Sequence, residues 1–91
     1  MLTMRPTDLA SPAYATWEDW TVLDDGRAVG RIYEDRSQGT PRELRCRWSI
    51  TRYVPPRLGI RTDNKVESLA EAKQQFRRTW EAVETAAYAH Y

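Results

Sequence analysis

Gly26-Arg27 and Gly30-Arg31 lie four residues apart in the stretch DDGRAVGRIYED, residues 24–35, and each glycine is followed by an arginine. Glycine-rich loops can bring backbone N–H groups against a phosphate, so this spacing is the first to weigh. A phosphate loop needs G-x-x-x-x-G-K-[ST], and a dinucleotide site needs G-x-G-x-x-G ahead of a helix. Neither spacing occurs here, and the residues after Gly30 have the composition of a strand. The two glycines are therefore expected to serve a turn and a packing contact. In that reading Asp24-Asp25-Gly26 is a three-residue hairpin loop with Gly26 in the left-handed region. Leu23 then stands opposite Arg27 and Trp20 opposite Gly30, so that the Trp20 ring covers the bare glycine.

Other constellations of reactive residues are sparse. The chain has one cysteine, Cys46, and one histidine, His90. Two such residues do not make a zinc site without several carboxylates, and a Cys–His nucleophile would depend on a residue at the chain end. Asp24-Asp25 belongs to turn chemistry and Glu34-Asp35 to a solvated strand end. The expectation is a protein that is not an enzyme, with no catalytic residue, no cofactor and no metal.

Arginine dominates the positive charge, although the formal net charge is only +1. Residues 42–61 hold six arginines (42, 45, 47, 52, 57 and 61) and a single acid, Glu43. Basic side chains interleaved with aromatic rings on an exposed sheet can contact phosphates and stack on bases. Arg31, Arg45, Arg47 and Tyr53, with Tyr33, are the candidate nucleic-acid contacts. The competing reading is a solvated face whose arginines pair with Glu18, Asp19, Glu34 or Glu43 across the strands. Near-neutral charge favours that second reading, because nucleic-acid modules are commonly basic.

The elements that position these residues follow from periodicity. Residues 1–15 mix prolines and hydroxyl residues without a period and read as a flexible N-terminal arm. Residues 16–91 read as one domain. Residues 20–23 and 28–33 form a hairpin, and ELRCRWSI alternates Leu44, Cys46, Trp48 and Ile50 inward against Arg45, Arg47 and Ser49 outward. Pro55-Pro56 ends that strand, and Ile60–Thr62 leaves room for a short fourth edge strand. Ser68 and Glu71 have the spacing of a capping box, and Leu69, Ala72, Phe76, Trp80, Val83 and Ala87 recur at steps of three and four. The expected architecture is α+β: a three-stranded antiparallel sheet on one C-terminal helix, β-β-β-α.

One helix cannot cover both faces of that sheet. Trp17, Leu23, Val29 and Tyr33 are expected on the face opposite the helix, as an apolar patch that suits a protein partner or a homodimer; the competing reading is that the N-terminal arm folds over it as a lid. A lone cysteine, no apolar stretch of membrane-spanning length and no secretory leader point to the bacterial cytoplasm, away from membranes.

The segments VGRIYED, CRWSI and ESLAEAKQQFRRTWEA resemble a group of small alphaproteobacterial proteins of unknown function that share a V-G-R-I-Y strand, a W-S-I strand and a Leu-x-x-Ala-Lys helix. The resemblance spans residues 17 to about 82. It implies a fold and no activity, and no functional residue carries over from it. The arrangement is also similar to plant AP2-type and phage-integrase arm-binding domains, which read DNA with the sheet face opposite the helix. That likeness implies a DNA-facing role for Arg31, Arg45 and Arg47, but the sequence motifs of those families are missing.

Overall fold

The computed structural model describes residues 1–7 and 18–89, with side chains as far as Ala86. Five antiparallel strands lie side by side in chain order: β1 (Leu2–Pro6), β2 (Asp19–Asp24), β3 (Arg27–Glu34), β4 (Cys46–Ile50) and β5 (Asp63–Val66). The helix α1 (Leu69–Ala89) follows and packs on one face, chiefly over β4 and its neighbours β3 and β5. Two short 3₁₀ turns, Arg42–Leu44 and Pro56–Leu58, interrupt the connections. The architecture is α+β as expected, with two more strands than the three expected.

Both additions have a local cause. Residues 2–6, expected within the arm, alternate half-buried Leu2 and Met4 with exposed Thr3 and Arg5. That period of two suits an edge strand with one face inward, and Pro6 at its end removes a donor. The fourth expected strand lies at Asp63–Val66 instead of Ile60–Thr62. There Asn64 and Val66 face the helix and pair with Trp48 and Cys46.

The hairpin between β2 and β3 differs from the expected loop. Asp24 pairs directly with Arg27, so the loop has two residues, Asp25 and Gly26, at φ 50° and 81°. Positive φ at both positions is the type I′ turn, whose twist matches that of the flanking strands. The register then shifts between Val22 and Leu23, a β-bulge with Val29 as the extra residue. The bulge turns Val29 into the core at 2% exposure and leaves Ala28 outside. Beyond it Val22 pairs with Gly30, and Trp20 pairs with Ile32.

Gly30 is therefore not covered by Trp20. A Cβ at this position would strike the Phe76 ring and the Ser49 carbonyl oxygen. The helix side chain occupies the space a β-carbon would need. Phe76 sits edge-on to Trp48, ring centroids 6.1 Å apart and planes at 79°. Around this pair lie Val22, Val29, Ile32, Cys46, Ile50, Val66 and Ala72, with Leu69, Trp80 and Val83 against their rim. Leu44, expected inward, lies in the first 3₁₀ turn and is exposed.

Polar bonds fix the helix along its length. The Ser68 hydroxyl accepts from the Glu71 amide at 3.1 Å, one of the two bonds of a capping box. The Glu71 carboxylate accepts from the Gln75 amide group at 3.4 Å. Gln75 Oε1 accepts from Trp48 Nε1 (2.9 Å) and from Asn64 Nδ2 (3.0 Å), which ties the helix to β4 and β5. No helix among the described residues is long and apolar enough to cross a membrane.

Gly30→Ala should destabilise the fold by about 3 kcal/mol, the scale of overpacking a dense core. Combining it with Phe76→Leu should recover part of the loss, since one obstacle is a side chain and the other is backbone. Urea unfolding of the two variants measures both. A Gly30→Ala protein as stable as the parent would refute the close approach.

Candidate functional site: the outer face of the sheet

The face away from the helix is built by alternate residues of the five strands, and β2 to β5 carry its charged centre. Register places Asp19, Tyr33, Arg47 and Lys65 in one cross-strand row, and Thr21, Arg31, Ser49 and Asp63 in the next. Two diagonal ion pairs join the rows. Arg31 donates from Nε to Asp19 Oδ1 at 2.8 Å and from Nη2 to Asp19 Oδ2, a bidentate pair. Arg47 donates from Nη2 to Asp63 Oδ2 at 2.8 Å.

Tyr33 stands between the two arginines. The Arg31 guanidinium lies 4.5 Å above its ring centroid, within range of a cation–π contact. Arg47 Nη1 donates to its hydroxyl oxygen at 3.3 Å. Asp19, Arg31, Tyr33, Arg47 and Asp63 thus form one ladder across four strands. The hydrogen bond to Asp19 holds the Arg31 guanidinium above its ordinary pKa, and the bond to Asp63 does the same for Arg47. Both stay charged at any physiological pH.

Of the residues expected in an apolar outer patch, Leu23 and Tyr33 lie on this face, half-buried. Val29 does not, because the bulge sends it into the core. Trp17 lies outside the described residues. Among the expected nucleic-acid contacts, Arg31 and Arg47 come together here and are both ion-paired. Arg45 precedes β4 as the C-cap of a 3₁₀ turn, is exposed, and makes none of the ladder's bonds. Tyr53, 81% exposed, lines an open cleft with Arg27, Arg52, Val29 and Trp80 near the hairpin turn. The strand expected from Glu43 begins only at Cys46, because Arg42–Leu44 form the 3₁₀ turn, and it ends at Ile50.

Asp19 is among the carboxylates expected to pair with these arginines, whereas Asp63 is not. Glu18 and Glu34, also expected to pair with them, have other partners. Glu18 accepts from Trp20 Nε1 at 2.7 Å, and Glu34 accepts from Arg36 Nε at 2.5 Å. Asp35 accepts from the Ser37 amide at 2.9 Å and from the Ser37 hydroxyl, which closes the loop after β3 and holds its carboxyl below the usual pKa.

Cys46, the one cysteine, is buried. Burial, with Glu34 nearby, pushes the Cys46 thiol pKa up, and Sγ lies 3.8 Å from the Glu67 carbonyl oxygen as a weak donor. A protonated, buried thiol is a poor nucleophile. His90 lies outside the described residues. Among the described residues no three of His, Cys, Asp or Glu gather closely enough to hold a metal ion. Comparison with protein-family models, curated proteins and solved structures finds no match to this chain.

Two outcomes test the geometry. Arg31→Met strands the Asp19 carboxylate, whose side chain is only 6% exposed. The arginine itself is 40% exposed, so water screens the pair. The loss should be about 2 kcal/mol, below the scale of a fully buried pair, and urea titration reads it. The second concerns Asp24, which accepts from Trp80 Nε1 at 2.9 Å and whose pKa is lowered mainly by that bond. A lowered folded-state value contributes stability above the ordinary 3.8 and loses it as pH falls through the folded value. The stability gap between parent and Trp80→Phe should therefore narrow as the solution is acidified below 3.8. A gap that stays constant with pH would remove the role of this bond.

Proposed function

We propose that the protein is a non-enzymatic binding module that docks a protein, a second copy of itself included, on the outer face of its sheet. The observation that carries this reading is the ladder through Arg31, Tyr33 and Arg47. Arginine and tyrosine are enriched where interface energy concentrates. Here Asp19 and Asp63 already hold the two guanidinium groups. Ordering a free side chain on binding costs on the order of 1 kcal/mol. Side chains ordered beforehand avoid much of that cost, so a modest contact can suffice. Leu23 adds apolar area beside the polar core. A cytoplasmic setting belongs to the same proposal, supported by a single cysteine kept as a buried thiol.

Nucleic-acid binding through Arg31, Arg45, Arg47, Tyr33 and Tyr53 has less support. Two of the three arginines are neutralised by carboxylates, the Tyr33 ring face is occupied by Arg31, and Tyr53 lies elsewhere.

A photo-reactive benzophenone side chain in place of Thr21 should give discrete protein cross-links in cells. The same probe in place of Arg57, exposed in the second 3₁₀ turn, should not. Cross-links at neither position, or equally at both, would end the reading. Titration with single-stranded and duplex DNA at low salt, where phosphate contacts are strongest, should leave the Arg31 and Arg47 amide resonances in place.

A further inference from the structure

The helix side of the sheet carries a second surface, independent of the outer ladder. Five strands spaced about 4.8 Å apart span roughly 19 Å, whereas a helix with its side chains is about 10 Å across. One helix covers about half of such a sheet. Here α1 lies over β3, β4 and β5. Among the described residues, the inner side of β1 at the sheet edge is left beside it as a groove of about 310 Å³. Leu2, Met4, Val22 and Ile32 form its apolar floor, and Lys73, Gln74 and Arg77 of α1 form its rim. Leu2 and Met4 are the half-exposed part of that floor.

The charge of the rim selects the occupant. Lys73 and Arg77 are one helical turn apart and so adjacent on α1. Neither takes part in any ion pair found among the described residues. A second copy's helix does not suit the groove, because among the described side chains the outward residues Lys73, Gln74, Arg77, Arg78 and Glu81 leave α1 no exposed apolar stripe. We propose that the groove receives an amphipathic helix of a partner protein. Its apolar stripe would lie on Leu2 and Met4, and its acidic flank would face Lys73 and Arg77. Such a helix completes a two-helix layer over the sheet, packed beside α1 at the usual 8–10 Å separation, roughly. Recognition follows the helix-in-groove mode, with apolar anchors at steps of three and four. The contact is small, so affinity on the order of 10 µM is expected.

The probe is a synthetic helix of about 18 residues, with leucines at steps of three and four and glutamates on one flank. Amide shifts of the ¹⁵N-labelled protein read the binding. Saturable shifts at Leu2, Met4, Lys73 and Arg77 are expected, with no saturable binding of a scrambled peptide of the same composition. Lys73→Glu with Arg77→Glu should weaken binding about tenfold or more, as expected when attraction becomes repulsion. Lys73→Gln with Arg77→Gln should give an intermediate loss. Both positions are exposed, and an unchanged spectrum without peptide verifies the fold. Absence of saturable shifts, or equal binding of the scrambled peptide, overturns the proposal. So do nuclear Overhauser contacts that place residues 8–17 over Leu2 and Met4. Sodium dodecanoate binding where the peptide does not would also overturn it, assigning the groove to a small anionic amphiphile.

Discussion

Phe76 lies against the bare backbone of Gly30, and the position of the helix follows from that contact. The ring fills the space in which any other residue would place a β-carbon. This lets α1 approach the sheet closely at β3 and brings Phe76 edge-on to Trp48 of β4. Trp48 then reaches Gln75, one residue before Phe76, and Gln75 also bonds Asn64 on β5. One apolar contact and one amide side chain thus register the helix against three strands.

That placement divides the protein's surface. A helix seated over β3 to β5 leaves, among the described residues, the inner side of β1 and the outer face of the sheet without a covering element. The outer face is stabilised differently from the core, by charge and aromatic contacts instead of burial. Asp19, nearly buried, would be costly alone, and the bidentate Arg31 offsets that cost. Tyr33 shares its ring with Arg31 and its hydroxyl with Arg47, so the two ion pairs act as one unit. Such a face is polar and cross-braced by these bonds.

The two glycines of the central hairpin illustrate how strand chemistry can imitate a ligand loop. Gly26 supplies the second positive φ of a two-residue turn, with Asp25 supplying the first. Gly30 supplies a gap in the sheet for the helix. Neither role leaves backbone N–H groups aimed at a phosphate. The arginines that follow them also part ways, since Arg27 is exposed at the turn and Arg31 is locked to Asp19.

The capping residue Ser68, the stripe from Leu69 to Val83, the alternation of Cys46, Trp48 and Ile50, and the left-handed Gly26 were all legible in the sequence by itself. Each depends on neighbours within a turn or a strand, where period and local hydrogen bonding decide the outcome. Other features were decided only by the tertiary structure. The bulge that turns Val29 inward depends on the register in which β2 and β3 pair. The partner of Gly30 is a residue 46 positions away on α1, beyond the reach of any hairpin count. Asp63 joins Arg47 only once β5 pairs with β4. Strand pairing and helix docking are long-range choices among surfaces of similar composition, and close packing around Phe76 selects among them.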